Sequence, residues 1–355
     1  MTARFGLHPG VGAALGAALL FGVGTPLAKL LLASTSPWLL AGLLYLGSGL
    51  GLSLLRLLRR SQPRARLAPG EWPWFAGAVL AGGVIGPVLL MWGLAGMPAS
   101  GAALLLNAEG VFTAAIAWVV FKENVDRRIF IGMLAIVAGA VVLSWPGQAP
   151  GTASAGAALA ALAVLGACLA WGIDNNLTRK VALADAVWLA SVKGLVAGAT
   201  NLALALALGA AWPPAMQVGG ALAVGLLAYG VSLVLFVVAL RHLGTARTGA
   251  YFSVAPFFGA LVAVLALAEP VTAPLLIAGA LMAVGVWLHL SEQHAHEHTH
   301  EALEHEHEHL HDGHHQHAHE EGLAAAEPHT HRHRHEPMRH GHPHYPDAHH
   351  RHGHR

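Results

Sequence analysis

Long apolar segments alternate with short polar connections from the start of the chain to about residue 290. A helix needs about 20 consecutive apolar residues to cross the hydrocarbon core of a membrane. Apolar runs of this length, without the alternation of a barrel strand, satisfy their backbone hydrogen bonds in lipid only as helices. The connections contain the proline, glycine and charged residues typical of turns. The pattern therefore predicts ten transmembrane helices, at residues 11–32, 38–58, 73–95, 99–121, 129–146, 155–178, 186–209, 217–240, 247–268 and 272–290.

The overall composition also indicates a membrane protein. Hydrophobic residues make up 55% of the chain, charged residues 11%, and the mean hydropathy is +0.54, values outside those of ordinary soluble domains. The first apolar stretch has the length of a span rather than of a signal-peptide core. Cys168 is the single cysteine, so no internal disulfide can form.

The cations before the histidine-rich end of the chain predict its orientation. In a ten-helix arrangement nearly all of them fall in connections on one side, while Lys29 lies toward the other side and Lys193 inside a span. The positive-inside rule then predicts a multi-pass protein of the cell membrane with both termini in the cytoplasm. The cations on this side are Arg4, Arg56, Arg59, Arg60, Arg64, Arg66, Lys122, Arg127, Arg128, Arg179, Lys180, Arg241 and Arg247.

The two halves of the apolar region resemble each other. A shift of about 146 residues aligns 111–125 with 257–271, including Glu123 with Glu269, and a slightly larger shift aligns 21–29 with 171–179. Five helices in each half mean that the second half enters the membrane from the opposite side. This is the inverted-repeat plan of many secondary transporters, whose substrate site lies near the middle of the membrane between the repeats.

Four segments carry a resemblance to a known family. "FGVGTPLAKLLL", "AWGIDNNLTRK", "LLLNAEGVFTAAIAWVVFKENV" and "YFSVAPFFGALVAVLALAEPV" resemble the signature segments of the drug/metabolite transporter superfamily, specifically its EamA-type members with ten helices. The resemblance covers residues 5–290 and implies a permease for small metabolites, commonly driven by an ion gradient. The chain departs from the family's Glu-Pro pairs, because it has Glu109-Gly110 in one half and Ala255-Pro256 in the other.

The predicted fold is thus an all-α polytopic membrane protein, with two inverted five-helix repeats followed by a disordered His-rich tail. We assign residues 1–148 to the first EamA-like repeat, 149–291 to the second, and 292–355 to a cytoplasmic tail. Phosphate-binding loops, nucleophile triads and metalloprotease motifs are absent from the sequence, so an enzyme is not expected. Nucleic acid is not expected as a partner either. The oligomeric state stays open, a homodimer included.

Glu109 is the first candidate for a functional side chain. It lies about midway along its span, where a charge is costly unless it faces a cavity, is paired or is protonated. Such a carboxyl could bind and release a proton during transport, or it could be a structural acid bonded to a neighbouring helix. Asn107 beside it could contact a polar ligand or another helix.

Further candidates cluster near the end of the sixth span. Asp174 and Asn175 could face a substrate or coupling-ion site, or Asp174 could only neutralise the nearby cations. Lys193, about two turns into the seventh span, could pair with an acid or attract an anionic substrate, or its ammonium could reach the interface. Trp171 could be a wall of the cavity, or it could belong to the belt of aromatic residues at the membrane interface.

All but three of the 26 histidines lie in the tail, mostly in His-x-His pairs. Neutral imidazoles bind Zn, Ni, Co or Cu, so the tail is predicted to bind divalent metals, although no cofactor is required. It has few of the large apolar residues that a core needs, and disorder is expected. The predicted ligands are His294, His296, His298, His300, His305, His307, His309, His311, His314, His315, His317 and His319.

Three functions follow from these observations. The first is a secondary transporter for a small organic solute, with a metal-binding tail. The second is a divalent-metal permease whose tail captures or senses the ion, although no His or Cys cluster lies in the spans. The third is a membrane-bound metal buffer without transport.

Overall fold

The computed structural model describes residues 9–58, 67–121, 127–144, 155–181, 184–290, 295–300, 303–309, 329–335 and 338–343. Up to residue 290 the described part of the chain is almost wholly helical. Short 3-10 helices occur at Pro69–Glu71 and Arg179–Val181. The α-helices are α1 (Pro9–Leu31), α2 (Pro37–Leu58), α3 (Trp72–Ala78), α4 (Gly86–Gly96), α5 (Ala99–Leu105), α6 (Ala108–Val119), α7 (Arg127–Ser144), α8 (Ala155–Thr178), α9 (Ala186–Ala207), α10 (Ala215–Val224), α11 (Ser232–Phe252), α12 (Ala255–Ala266) and α13 (Ala273–Leu290).

Two π-helices continue the helical path through the third and eighth spans. The first π-helix is Val79–Ile85, between α3 and α4, and the second is Gly225–Val231, between α10 and α11. They are separated by about 146 residues, the same shift that aligns the two halves in sequence. A π-helical turn bonds each amide to the carbonyl five residues earlier and is frequent at functional sites.

The ten predicted spans correspond to eight full-length apolar helical segments and two shorter ones in the described part of the chain. The shorter segments are Ala255–Ala266 and Ala273–Leu288. The full-length segments are Gly10–Leu31, Pro37–Leu58, Pro69–Gly96, Ala99–Val119, Arg127–Ser144, Gly156–Thr178, Val187–Ala207 and Ala215–Ala239.

The boundary predicted between the eighth and ninth spans is wrong. The sequence predicts a connection at residues 241–246, but α11 continues through it to Phe252. This stretch contains no proline, and a single interior glycine costs a helix only about 1 kcal/mol. The helix ends instead before α12, whose first turn contains Pro256, because proline has no N–H to continue the preceding helix.

The inverted repeat is visible in the packing of equivalent helices. The second helix of each half packs against its counterpart, α2 against α9, and the last helices α7 and α13 do the same. The opening helix of each half packs on the other half, α1 on α11 and α12, and α8 on α4 and α6. The halves are therefore related by a pseudo-two-fold axis, as expected for an inverted repeat.

Small residues allow the backbones of α2 and α9 to meet. A Cβ at Gly194 would lie 2.8 Å from the Gly49 Cα, and a Cβ at Gly198 would lie 2.6 Å from the Leu46 amide nitrogen. Such close approaches are typical of transmembrane helix interfaces. Larger apolar side chains lie on the outside, where Leu57 and Leu265 are exposed and can contact lipid.

Polar contacts mark the two ends of the helix bundle. At one end, the Arg56 Nη2 lies 3.7 Å from the Asp185 Oδ2. At the other end, Lys29 Nζ donates to the carbonyls that end α4, including Leu94 O at 2.6 Å, and the Glu269 carboxylate accepts from the first amides of α5. We call these ends the Arg56 face and the Glu269 face. The sides of the membrane that they occupy stay a prediction from the cation pattern.

The tail contains four strands among its described residues: β1 (Ala295–His300), β2 (Leu303–His309), β3 (His329–His335) and β4 (Met338–Pro343). β1 pairs with β4 and β2 pairs with β3, both antiparallel. This differs from the expected irregular chain. Alternating sequences fit the two-residue period of a strand, but isolated two-stranded ladders are only marginally stable in water. Disorder of the free tail in solution therefore stays a prediction.

Candidate functional site

A buried ion pair joins the sixth and seventh spans. Lys193, on α9, forms an ion pair and hydrogen bond with the Asp174 Oδ2 on α8. The hydroxyl of Thr178, one turn along α8, donates to the Asp174 Oδ1 at 3.0 Å. Asp174 is 5% exposed. Away from water, removing either partner of such a pair leaves an uncompensated charge, which is strongly destabilising.

The first π-helix lies directly against this pair. Two consecutive carbonyls of the π-helix accept bonds from side chains: Gly82 O accepts from the Tyr45 hydroxyl at 2.8 Å and from Trp171 Nε1 at 2.9 Å. Gly83 O accepts from the Asn201 Nδ2 at 3.0 Å. These bonds tie the third span to α2, α8 and α9. The missing side chain of Gly82 leaves the space that the Asp174 carboxylate fills.

Glu109 lies in the first turn of α6 and contacts the residue that follows Asp174 in α8. The Asn175 Nδ2 donates to the Glu109 Oε1 at 2.9 Å and to the Thr113 Oγ1 at 3.2 Å. The N-terminus of a helix carries a partial positive charge that favours a carboxylate. Asn175 directly follows Asp174 in α8, so its bond to Glu109 brings the acids of α6 and α8 into one site.

Two helix interruptions enclose a cavity beside Glu109. The fourth span is interrupted between α5 and α6, and the helical path before α12 is interrupted at 253–254. A cavity of about 210 Å³ lies between these interruptions. It is lined by Phe21, Leu106, Asn107, Glu109, Gly110, Ile136, Phe252, Ser253, Ala255, Pro256 and Val286. Broken helices near the repeat interface are where transporters of this plan bind their substrates.

Aromatic rings connect the cavity to the first π-helix. The ring centroids of Phe21 and Phe252 are 5.4 Å apart, and Tyr229 lies 5.8 Å from Phe21 and 5.6 Å from Tyr45. These distances are within the range of favourable aromatic pairs. The hydroxyl of Tyr45 then reaches Gly82 O. The rings therefore form a continuous wall from the cavity to the backbone beside Asp174.

The structure brings the sequence-predicted residues of the spans into this one region. Asp174 is paired with Lys193, Glu109 with Asn175, and Trp171 lies behind the ion pair, 7% exposed. Asn107 lines the cavity, but its amide donates to the Leu104 O at 2.9 Å, a bond between the interruption and the end of α5 in the same span. Their part in transport stays a prediction.

The sequence analysis did not select several residues of the site. Thr113, Asn201 and Tyr45 were each visible as isolated polar groups in apolar spans, and that signal could have selected them. Asn176 bonds to the Thr113 and Gly172 carbonyls, a structural role. Gly82 could not have been found from the sequence, because it matters only through the space that it leaves for Asp174, about 90 residues further along the chain.

The predicted metal ligands fall in two groups. His296, His298 and His300 lie on β1, and His305, His307 and His309 lie on β2. The remaining six lie outside the described residues, namely His294, His311, His314, His315, His317 and His319. Among the residues whose side chains the structure describes, no group of three or more His, Cys, Asp or Glu could hold a metal ion.

Comparison with known proteins identifies the family. The model of the EamA-like transporter family matches residues 8–145 and again residues 158–291. The chain belongs to the EamA-like transporter family. The two matches cover the two inverted halves, which places the protein among membrane transporters.

Similar proteins agree with this assignment. An uncharacterized transporter of Methanothermobacter thermautotrophicus is 28% identical over 285 residues, which cover 77% of this chain and 83% of the relative. A crystal structure of 18% identity aligns with a TM-score of 0.58, over 79% of this chain and 95% of that one. At this identity the second likeness concerns the fold alone. Two repeats, ten spans and the resemblance to EamA-type transporters are therefore confirmed.

Proposed function

We propose that this transporter carries a small organic solute through the cavity between the two interrupted helices, in exchange with or together with a proton or another ion. The observation that carries the proposal is the cavity of about 210 Å³, which has the Glu109 carboxyl in one wall and the Phe21 and Phe252 rings in another. A carboxyl inside the membrane is expensive to keep without a function.

The size and lining of the cavity support a small, partly apolar solute. Pockets for drug-sized ligands have volumes of about 300–1,000 Å³, so a volume of about 210 Å³ suits a solute of the size of an amino acid or a nucleobase. Asn107 and Glu109 offer hydrogen-bonding groups on one side, while the remaining wall is mostly apolar and aromatic.

Protonation of Glu109 is the step that we propose for coupling. An ionised carboxylate would keep its bond from Asn175, whereas a protonated carboxyl would remove the charge from the wall of the cavity. The solute and the proton would thus both bind at the cavity wall that contains Glu109, so the binding of one would affect the binding of the other. The cavity would then open toward the Arg56 face and the Glu269 face in turn, as alternating access requires.

Flux through proteoliposomes tests this proposal. Wild type and Glu109→Gln are compared across a panel of amino acids, nucleobases and divalent metals, with and without an inward proton gradient. We expect proton-dependent uptake of one organic solute class by wild type and its loss in Glu109→Gln, because the amide cannot release a proton. Glu71→Gln, at the Arg56 face, is the matched control and should keep wild-type uptake. Normal proton-dependent kinetics in Glu109→Gln would remove Glu109 from the site.

Metal binding by the tail is a second proposal. The backbone register sets His305 opposite His333 and His307 opposite His331, and residues directly opposite in an antiparallel pair lie about 4.5–5.5 Å apart at Cβ. Neighbouring pairs could therefore supply four imidazoles to Zn, Ni, Co or Cu. We propose that the tail senses or buffers such metals while the membrane domain carries the solute.

Deletion of residues 292–355 separates the three functions. If the tail is an accessory, solute flux persists and binding of Zn²⁺ in isothermal titration is lost. Lost Zn²⁺ flux would favour a metal permease, and lost metal retention without any flux would favour a buffer. Against a metal permease stands the absence of a metal-binding group among the described residues of the membrane domain.

We also propose that both termini are cytoplasmic. Cys168 is fully buried, so a cysteine introduced into the tail would be the accessible thiol for labelling in whole cells. Labelling of that cysteine by a membrane-impermeant reagent in intact cells would contradict this orientation.

A further inference from the structure

We propose that Glu109, Asp174 and Lys193 form a single cation-binding cluster, one positive charge short of neutrality, that takes up one monovalent cation for each transport cycle. The cation is a proton or an alkali ion. This inference assigns the coupling stoichiometry of the same site, and its link to transport rests on the proposed function.

The charges of the cluster are unbalanced. Lys193 is bound to Asp174, and Asn175, the residue after Asp174, donates to the Glu109 Oε1 at 2.9 Å. With all three groups ionised, two carboxylates face one ammonium. Among the residues whose side chains the structure describes, the other titratable ones that interact with this region are phenols and a thiol, which are uncharged near neutral pH; they are Tyr45, Tyr229 and Cys168.

The ammonium is committed to only one of the two acids. The Asp174 carboxylate accepts hydrogen bonds from the Lys193 ammonium and the Thr178 hydroxyl, whereas the Glu109 carboxylate accepts one from the neutral amide of Asn175. The first turn of α6 adds a partial positive charge, which does not balance a full negative one. An uncompensated charge inside a membrane protein is costly. One more cation would bring the cluster to neutrality.

The position of Lys193 would let the cation reach either acid. Its side chain is 21% exposed, against 8% for Asp174, and it has four flexible methylenes. If Lys193 moved from Asp174 to Glu109, the incoming proton or alkali ion would bind the Asp174 carboxylate. If Lys193 stayed, the cation would bind Glu109. In both arrangements two negative charges meet two positive charges.

The number of cations that the cluster binds can be measured from the protein's stability, without knowing the solute. The full-length protein is purified in detergent, and its thermal unfolding is followed from pH 5 to 9, in NaCl or in N-methylglucamine chloride at equal ionic strength. The native state should bind one cation that the unfolded state does not bind. The free energy of unfolding, divided by RT, should therefore rise with the logarithm of the cation activity with a slope of one. This slope is the number of cations released on unfolding. Dependence on pH alone identifies the proton, and dependence on NaCl identifies the alkali ion.

Charge-altering variants should change the slope by whole numbers. Glu109→Gln and Asp174→Asn each leave one acid and one base, so the slope should fall to zero. Lys193→Met leaves two acids, so the slope should double, and Lys193→Arg should keep a slope of one. The tail histidines are common to all variants and cancel in the differences. A zero slope in wild type, an unchanged slope in Glu109→Gln, or a slope in Lys193→Met equal to that of wild type would overturn the cluster.

If Lys193→Met does not fold, the test still decides. The slopes of Glu109→Gln and Asp174→Asn are then compared with the slope of Lys193→Arg. The outcome is also independent of the proposed solute transport. A correct slope without flux of any solute would overturn the transport proposal alone. Flux that requires Glu109, together with a slope of zero, would overturn the single-cation cluster alone.

Discussion

In the first of two equivalent regions, the first π-helix packs against α8 and α9; in the second, the second π-helix packs against α1 and α2. We call them the first lobe and the second lobe. The same contact occurs in both lobes: Gly82 meets Asp174 in the first, and Ala228 meets Gly24 in the second. Gly82 is equivalent to Ala228 by the shift of about 146 residues, and Asp174 is equivalent to Gly24 by the slightly larger shift.

The side chains at this contact are exchanged between the lobes. In the first lobe, the π-helix contributes Gly82 and the facing helix contributes Asp174, whose Cβ lies 2.6 Å from where a Gly82 Cβ would be. In the second lobe, the π-helix contributes Ala228 and the facing helix contributes Gly24, with a corresponding distance of 2.8 Å. Each contact has room for one side chain, and one of its two residues is therefore glycine.

An asymmetric site is thus built on a symmetric scaffold. Close backbone packing is kept in both lobes, but only the first lobe uses its space for an acid. Lys193 provides the cation there, whereas α2, the helix of the second lobe that corresponds to α9, has no charged residue before Arg56 in its last turn. The polar chemistry of the spans is thus concentrated in one lobe.

The largest effect should come from removing the cation of the first lobe. Lys193→Met leaves Asp174 buried with no full positive charge, and we expect a loss of about 3–5 kcal/mol in the free energy of unfolding. Thermal unfolding in detergent measures it. Adding Asp174→Asn should restore most of the loss, because Asp174 then carries no charge and Glu109 can take up the one cation that the wild-type cluster also takes up. A single variant as stable as wild type would show that the ion pair does not hold the lobe together.

Gly82→Ala tests the space in the first lobe. Its methyl group would overlap the Asp174 carboxylate, and overpacking typically costs about 1–3 kcal/mol. Adding Asp174→Gly gives this contact the composition of the second lobe and leaves Lys193 free to pair with Glu109, so folding should recover while the cation dependence is lost. If the double variant stays as unstable as Gly82→Ala, the two contacts are not equivalent.

Gly24→Ala is the matched change in the second lobe. Its methyl group would meet the Ala228 side chain, and part of the cost is offset by the better helix propensity of alanine, so we expect about 1 kcal/mol. Ala228→Gly should relieve it. Because the second lobe carries no acid at this contact, the double variant should keep wild-type solute flux in proteoliposomes. Lost flux would mean that the second lobe also belongs to the site.

Glu269→Gln tests a helix end outside both lobes. The Glu269 carboxylate accepts from the amides of Ala99 and Ser100 at 2.7 and 2.8 Å and from the Ser100 hydroxyl at 2.5 Å. The amide keeps an acceptor but loses the charge, so we expect about 1 kcal/mol or less. Thermal unfolding should show this small loss with the cation slope unchanged. A changed slope would extend the cluster to the Glu269 face.

The smallest effect should follow Trp171→Phe. The variant loses one hydrogen bond to Gly82 O, which still accepts from the Tyr45 hydroxyl. We expect about 0.5–1.5 kcal/mol, near the lower limit because the carbonyl stays satisfied. Tyr45→Phe should cost a similar amount alone and more when combined with Trp171→Phe, because the double variant leaves the carbonyl without either bond. Additive losses would mean that the two bonds act independently.

The order and approximate length of the spans were predictable because lipid imposes the same requirement along the whole chain. Every backbone group must be bonded within its own helix, so apolar length reports a span directly. The boundary at 241–246 was not predictable in this way, because glycine and charged residues occur in turns and are also tolerated within helices. The π-helices were not predicted, since nothing in their apolar residues separates them from α-helix.

The site was partly predictable for a related reason. A polar residue in an apolar span is visible wherever it occurs, and Glu109, Asp174 and Lys193 were selected on that signal alone. Their pairing was not. The alternatives for Lys193 included both acids and a substrate, and only the packing of α8 against α9 beside the first π-helix joins it to Asp174.

Hydrophobic length, charge placement and internal repetition are properties of the chain read in order, so they were enough to predict a helical membrane protein with two inverted halves and a histidine-rich tail. The meeting of particular polar groups, the place of the cavity between the interrupted helices and the importance of Gly82 became visible only in the folded protein. Those properties depend on atoms that are distant in sequence and come within a few ångströms only when the helices pack.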